Sequence, residues 1–166
     1  MTDLKIRKRK RLREKEISNL ANEISNRLGC KVFNTNDTVD IAESPGMELI
    51  FVDGQVLGFI RHGKAFLSIR GLLKYQATKA FVTVDMGAVR FIVNGADVMG
   101  PGILDADESI QIGDLVWVRD ERNKKPLAVG EALISGLEMK TRRPGKAIKN
   151  LLFVGDKLWK LNEDLK

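Results

Sequence analysis

The sequence predicts an α+β unit followed by a mostly-β unit, closed or nearly closed into a small barrel, with one or two short helices. Three observations predict it. Apolar residues recur at helical spacing from Ile17 to Leu28 and then switch to strand spacing from Val39 onward. Beyond Lys79 the apolar runs are short, and Gly, Asn or Asp punctuates them, the pattern of many short strands. A glycine-rich corner, Asn94-Gly95 then Gly100-Pro101-Gly102, follows a short amphipathic segment that opens at Asp85. The chain has 166 residues, 43% of them apolar, enough for a core in each of two small domains. Their expected extents are 1–75 and 76–166.

In the first unit, Ile17, Leu20, Ala21, Ile24 and Leu28 form one face of a helix, and Gly29 suits a left-handed C-terminal cap. The basic run upstream either extends this helix or frays from it. Val39 and Ile41 alternate with polar neighbours, and Met47 to Val52 reads as a strand. Asp53-Gly54 is a two-residue hairpin signal leading to Gln55–Ile60. Arg61-His62-Gly63-Lys64 turns the chain into a strand from Ala65 to Ile69, and Gly71 to Tyr75 reads as a short helix.

In the second unit, Phe81 to Asp85 reads as a strand. Met86 to Val93 reads as a helix with Asp85 as its N-cap. Asp97 to Met99 is extended, and Ser109 to Ile112 leads to Gly113-Asp114. Leu115 to Arg119 alternates, a polar turn follows, and Leu127 to Ile134 is a further strand. Glu138 to Thr141, Lys146 to Phe153 and Leu158 to Leu161 complete the expected strands.

The net charge of +6 is unevenly placed. Lys5, Arg7, Lys8, Arg9, Lys10, Arg11, Arg13 and Lys15 face only Asp3 and Glu14 in the first 15 residues, and the rest balances at 20 basic and 20 acidic. A second excess, Lys140, Arg142, Arg143, Lys146 and Lys149, lies between Glu138 and Asp156 with no acid among them. Two separated basic patches fit a polyanionic partner, and equally a solvated surface with a disordered basic tail. No apolar run reaches the ~20 residues that span a bilayer, and Met1 to Lys15 lacks the apolar stretch of a signal peptide. One cysteine, Cys30, excludes an internal disulfide and reads as a small buried residue. The expectation is a soluble cytoplasmic protein.

The inventory for catalysis is thin. One His, His62, and one Cys cannot supply a zinc site or a nucleophile–base pair. No phosphate-binding glycine motif follows a strand. Asp105, Asp107 and Glu108 lie close together but lack the spacing of a calcium loop, and read as a solvated acidic loop. Asp85 reads as a helix cap rather than a base. The expectation is a non-enzyme with no cofactor and no metal.

The corner fits two roles on its residues alone. Asn94-Gly95 can take positive φ, Ala96 is small, and Pro101-Gly102 suits a type II turn. Such a corner would expose backbone groups beside Arg90 to RNA sugar–phosphate, or would simply be a tight barrel corner.

Asp85-x-Gly87-Ala88-Val89, Gly95-Ala96-x-Val98-Met99-x-Pro101-Gly102-Ile103, Gly113-Asp114-x-Val116, Ala128-Val129-Gly130, Gly145-Lys146-Ala147 and Gly155-Asp156-x-x-Trp159 resemble the PUA domain over about 78–160. The first unit resembles the pre-PUA domain of the malignant T-cell amplified sequence family, notably at Leu72-Leu73-Lys74-Tyr75. The resemblance implies a six-stranded PUA pseudobarrel that binds structured RNA. It places Arg90, Asn94, Gly95, Ala96, Met99, Gly100, Pro101 and Gly102 at or near RNA, with Lys146 and Lys149 on the last strand and Arg142 and Arg143 on its approach. It also implies the small ribosomal subunit, tRNA and an initiation-factor-like protein as partners. Lys5, Arg7, Lys8, Arg9, Lys10, Arg11 and Arg13 are denser in charge than that family leads one to expect, and read as a basic arm of their own. The leading expectation is therefore a non-catalytic protein that binds tRNA or small-subunit rRNA in translation. An accessory subunit of an RNA-modifying enzyme and a protein–protein adaptor are the alternatives.

Overall fold

The computed structural model describes residues 4–164. It divides into two compact units: the described residues up to Ala77 together with those from Asp156 on, and Thr78–Gly155.

The first unit is a five-stranded antiparallel sheet in sequential order: β1 (Arg7–Arg11), β2 (Val39–Ser44), β3 (Met47–Val52), β4 (Gln55–Arg61) and β5 (Lys64–Leu67). Helix α1 (Glu14–Leu28) buries Ile17, Leu20, Ala21, Ile24 and Leu28 and ends at Gly29, whose φ of 65° makes the expected left-handed cap. Each fully buried aliphatic side chain contributes about 1.5–3 kcal/mol, so this one stripe fixes the helix on the sheet. Glu23 of α1 accepts the Ala65 N–H of β5 at 2.7 Å. Two tight hairpins follow from positive φ at Asp53 (49°) and Gly54 (86°), and at His62 (50°) and Gly63 (76°). Helix α2 (Ile69–Lys74) starts two residues before the predicted position, because Ser68 caps it by accepting the Gly71 N–H.

Two expectations for this unit change. The basic run does not extend α1; it forms β1, with Arg11 opposite Asp40 and Arg7 opposite Glu43 on β2. Tertiary pairing with those acids outweighs any helical continuation, which would stack like charges one turn apart. The last segment, expected as a strand of the barrel, is helix α5 (Lys157–Asp164) of the first unit. Its Asn162 accepts the Val56 N–H at 2.8 Å and donates to the Val56 carbonyl at 2.7 Å, taking the place of a strand partner on β4.

The second unit is a six-stranded mixed sheet in the order β7-β11-β10-β9-β6-β8. Its strands are β6 (Phe81–Val84), β7 (Val98–Met99), β8 (Ile103–Ala106), β9 (Leu115–Asp120), β10 (Pro126–Ala132) and β11 (Lys146–Phe153). β6 runs parallel to β9; the other pairs are antiparallel. The curled sheet closes over Val82, Val84, Ile92, Val98, Ile103, Val116, Val118, Met139 and Ile148, all at most 2% exposed. This is the expected pseudobarrel. Helix α3 (Met86–Ile92) follows its Asp85 cap, which accepts the Ala88 N–H at 3.0 Å.

β8 escaped the sequence reading, since only Ile103 and Ala106 of its four residues are buried. Glu138 to Thr141 is not a strand: Ser135 and Glu138 form a capping box that opens helix α4 (Gly136–Met139). Asp107 is not a free loop acid. It accepts N–H groups from Ala80 (2.6 Å) and Ser109 (2.9 Å) and the Ser109 hydroxyl (2.7 Å). Although burial opposes ionisation, these bonds hold its pKa below the ordinary carboxylate value. Among the described residues no helix is long and apolar enough to cross a membrane.

Candidate nucleic-acid interface

The corner and the last strand, distant in sequence, meet in space. β7 pairs with β11 so that Met99 lies opposite Lys146 and Val98 opposite Ile148. Gly100 donates to the Gly145 carbonyl at 2.8 Å and extends the pairing. A Cβ on Gly100 would stand 1.8 Å from the Arg143 carbonyl oxygen, so only glycine allows this approach. Gly100–Gly102 is a 3₁₀ turn rather than the expected type II turn, and Gly102 does not take positive φ. Pro101 suits the start of such a turn because its φ is already helical.

Gly95 does take positive φ (95°), but a Cβ there would meet the Phe153 ring at 3.2 Å. Its constraint is internal packing. The backbone donors of the corner are also occupied within the fold. Asn94 and Ala96 donate to the Phe91 carbonyl, and Gly95 donates to that of Ile92. The Pro101 carbonyl accepts from Nε and Nη2 of Arg142 at 3.1 and 2.5 Å. At these positions the chain forms the tight barrel corner, one of the two roles its residues fit, rather than a row of open backbone groups, because paired polar groups cost less than unpaired ones.

Its polar centre is Asn150, which the sequence reading missed. Asn150 Nδ2 donates to the carbonyls of Ile92 (3.0 Å) and Ala96 (2.9 Å), and its main-chain N–H donates to Asp97 Oδ1 at 2.9 Å. The other Asp97 oxygen pairs with Lys146 Nζ at 3.1 Å. The Asn150 N–H, then Lys146 and Lys149, hold the Asp97 pKa below the ordinary value against partial desolvation. An asparagine inside a strand, where its type is disfavoured, was the available signal.

What the corner leaves open is a groove of about 440 Å³ lined by Gly87, Phe91, Ala96, Met99, Gly102 and Lys146. Phe91 is 54% exposed and Met99 47%. Phe91 was also missed. Its signal was that α3, Met-Gly-Ala-Val-Arg-Phe-Ile, is apolar on more sides than one core can cover. Arg90 lies over the Phe91 ring, its guanidinium 4.7 Å from the centroid. Asn94 is exposed and donates to the Arg90 carbonyl at 2.6 Å.

The cations are partly engaged. Arg143 pairs with Glu138 at 2.5 Å, Arg142 lies 4.0 Å from Asp85, and Lys140 pairs with Glu108 at 3.1 Å. Lys149 is exposed on β11, where its charge adds to that of Lys146 near Asp97. The basic arm is elsewhere, on the first unit. Arg9 and Arg11 grip Asp40 at 2.8 and 2.5 Å, and Arg7 and Lys8 lie 3.8 and 3.9 Å from Glu43. Arg13 donates its main-chain N–H to Glu16 at the start of α1. Lys5 lines a shallow pocket with Arg7 and Glu43, and Lys10 is exposed on β1. Among the described residues no group of three or more His, Cys, Asp or Glu is placed to hold a metal. Cys30 is half-buried rather than fully buried, and burial raises its thiol pKa.

The PUA domain profile matches residues 80–153, which hold the groove, the corner and the last strand. An uncharacterised protein of Methanocaldococcus jannaschii is 43% identical over 94% of this chain and 98% of its own length. Residues 80–153 are a PUA domain. Translation machinery-associated protein 20 of Saccharomyces cerevisiae is 30% identical over 68% of this chain and 66% of its own length. Mouse malignant T-cell-amplified sequence 2 is 29% identical over 68% of this chain and 65% of its own. A hypothetical protein of Pyrococcus horikoshii has a crystal structure that superposes with a TM-score of 0.81. It is 34% identical, over 93% of this chain and 99% of that one. Both units of this PUA protein thus recur together in another solved chain.

Proposed function

We propose that this protein is a non-catalytic, cytoplasmic RNA-binding protein of the translation machinery, and that its PUA unit grips folded RNA at the groove beside β11. One observation carries the reading: Phe91, Met99 and Lys146 line a single groove although the chain separates them widely. An exposed aromatic ring beside a cation offers stacking to a base and charge to a phosphate. Arg90, Asn94, Ala96, Lys149, Arg142 and Arg143 surround this contact, while Gly95, Gly100, Pro101 and Gly102 shape it. Lys146 is 64% exposed and can swing from Asp97 to a phosphate. The relative from Saccharomyces cerevisiae supports the translation setting, since its name places it with the translation machinery. On this reading the RNA is tRNA or small-subunit rRNA, and the partners are the small ribosomal subunit and an initiation-factor-like protein.

Titrating labelled total tRNA and a small-subunit rRNA fragment at increasing salt tests the reading. Lys146→Ala with Lys149→Ala should reduce the log–log salt slope by about 1.5, at roughly 0.7–0.9 per phosphate contact. A folded double variant with unchanged affinity and unchanged slope removes this surface from RNA binding. In cell lysate, cosedimentation with the small ribosomal subunit is the expected outcome, and capture with a modification enzyme instead would overturn the translation assignment.

A further inference from the structure

β1 is the edge of the five-stranded sheet, and all five of its residues, Arg-Lys-Arg-Lys-Arg, are exposed. Among the described residues nothing pairs with its outer side. Two carboxylates face it, Asp40 and Glu43, and they do different things. Asp40 is buried, and each of its oxygens takes one Nε, from Arg9 at 2.8 Å and from Arg11 at 2.5 Å. The Arg9 guanidinium also lies over the Phe51 ring, 4.0 Å from its centroid. These contacts hold both guanidinium groups in place through Nε. The side chains remain 44% and 65% exposed, and the bonds to Asp40 use Nε, so the terminal amino groups are not needed to hold them. Glu43 touches Arg7 and Lys8 only at the long limit of an ion pair and is itself half-exposed. Such a pair gives way readily to a stronger anion.

We infer that β1 is a second nucleic-acid contact, in which Lys5, Lys8 and Lys10 with the pre-set Arg9 and Arg11 bind successive phosphates of an RNA backbone without reading bases. The shape of the strand excludes the main competitor, an acidic peptide added as a sixth strand. Lys8 has a left-handed φ of 53°, and the register with β2 slips by one residue between Arg7 and Lys10. That bulge breaks the regular ladder of edge donors and acceptors that strand addition requires, and edge lysines oppose it further. A membrane surface fits less well, because no apolar side chain lies among the five exposed residues to anchor it.

The inference rests on the reading of the chain as an RNA-binding protein, yet the two surfaces can fail separately. The test uses the full chain carrying Lys5→Gln, Lys8→Asn and Lys10→Gln together. Asn tolerates the left-handed position, and Arg9 and Arg11 stay on Asp40. Binding is measured against a uridine homopolymer, total tRNA and polyglutamate over a salt series. The expected result is a loss of about two units of log–log salt slope, at roughly 0.7 per contact, equal for both RNAs. The matching lysine-to-arginine variant should keep the full slope. An unchanged slope on both RNAs overturns the proposal, and so does a loss seen with polyglutamate but not with RNA. If Lys146→Ala with Lys149→Ala has no effect on tRNA while the β1 variant flattens both slopes, the groove reading fails and this one stands. A melting curve matching the parent confirms that the variants are folded.

Discussion

The main-chain N–H of Asn150 donates to the carboxylate of Asp97 at 2.9 Å and ties the last strand of the PUA unit to the corner that follows α3. The same asparagine reaches the Ile92 and Ala96 carbonyls with its amide, so one residue closes the turn between helix and β7. Its own Oδ1 is buried with no hydrogen-bond partner among the described residues. The donor side of this amide, rather than its acceptor side, is therefore what holds the corner.

Asn150→Ala should take the amide donor from the Ala96 carbonyl and leave the Ile92 carbonyl with the Gly95 N–H alone. A loss of one buried hydrogen-bond partner costs about 1–3 kcal/mol, and here one side chain serves two acceptors. The expected outcome is a melting temperature several degrees lower and weaker RNA binding at temperatures where the variant is still folded. A melting curve equal to the parent's would show that the corner closes without this amide.

Asp97 makes the corner sensitive to acid. Its pKa is held below the ordinary carboxylate value, first by the Asn150 N–H and then by Lys146. A depressed carboxylate contributes stability that is fully present above the unfolded value, near 3.9. That contribution is lost as the pH falls through the lower folded value. Asp40 is depressed as well: burial opposes its ionisation, and the two arginines that grip it together outweigh that. Denaturant midpoints should therefore be level near neutrality and fall with acid. Asp97→Asn should start lower at neutral pH and fall less steeply, and a parallel pair of curves would contradict this assignment.

Phe91 separates binding from folding. At 54% exposure its ring contributes little to the core, whereas stacking a base on it is worth about 1–3 kcal/mol. Phe91→Ala should keep the melting temperature and weaken RNA binding at least about fivefold. Equal affinity in equilibrium titration would remove the ring from the contact.

The two glycines around Pro101 should respond in opposite ways. Gly100→Ala sets a methyl 1.8 Å from the Arg143 carbonyl oxygen, where the Gly100–Gly145 bond keeps the strands from parting. It should destabilise at or above the upper end of the about 1–3 kcal/mol typical of overpacking. Gly102→Ala meets only the Ala88 methyl, at 3.4 Å, and lacks positive φ, so its melting curve should nearly match the parent's. Similar losses in both would mean that the corner is strained throughout.

Most elements were legible because their signals are local. The stripe from Ile17 to Leu28, Gly29 as its cap, the Asp53-Gly54 hairpin and Asp85 as an N-cap each rest on neighbouring residues. β8 and β1 were not, since neither carries an apolar alternation and both exist only through their partners. Leu158 to Leu161 is ambiguous at that length between strand and helix, and its docking by Asn162 on Val56 decided for the helix.

The sequence by itself determined the two-part α+β and barrel architecture, the corner glycines and the concentration of charge, since periodicity, turn chemistry and composition act over a few residues. Only the tertiary structure decided which groups stay available. Folding brought Asn150 under the corner and consumed its backbone donors, tied Lys146 to Asp97 and Arg142 to Pro101, and left Phe91 open. A polar group pairs with whatever the fold brings within reach, and that neighbour is set by contacts dozens of residues away.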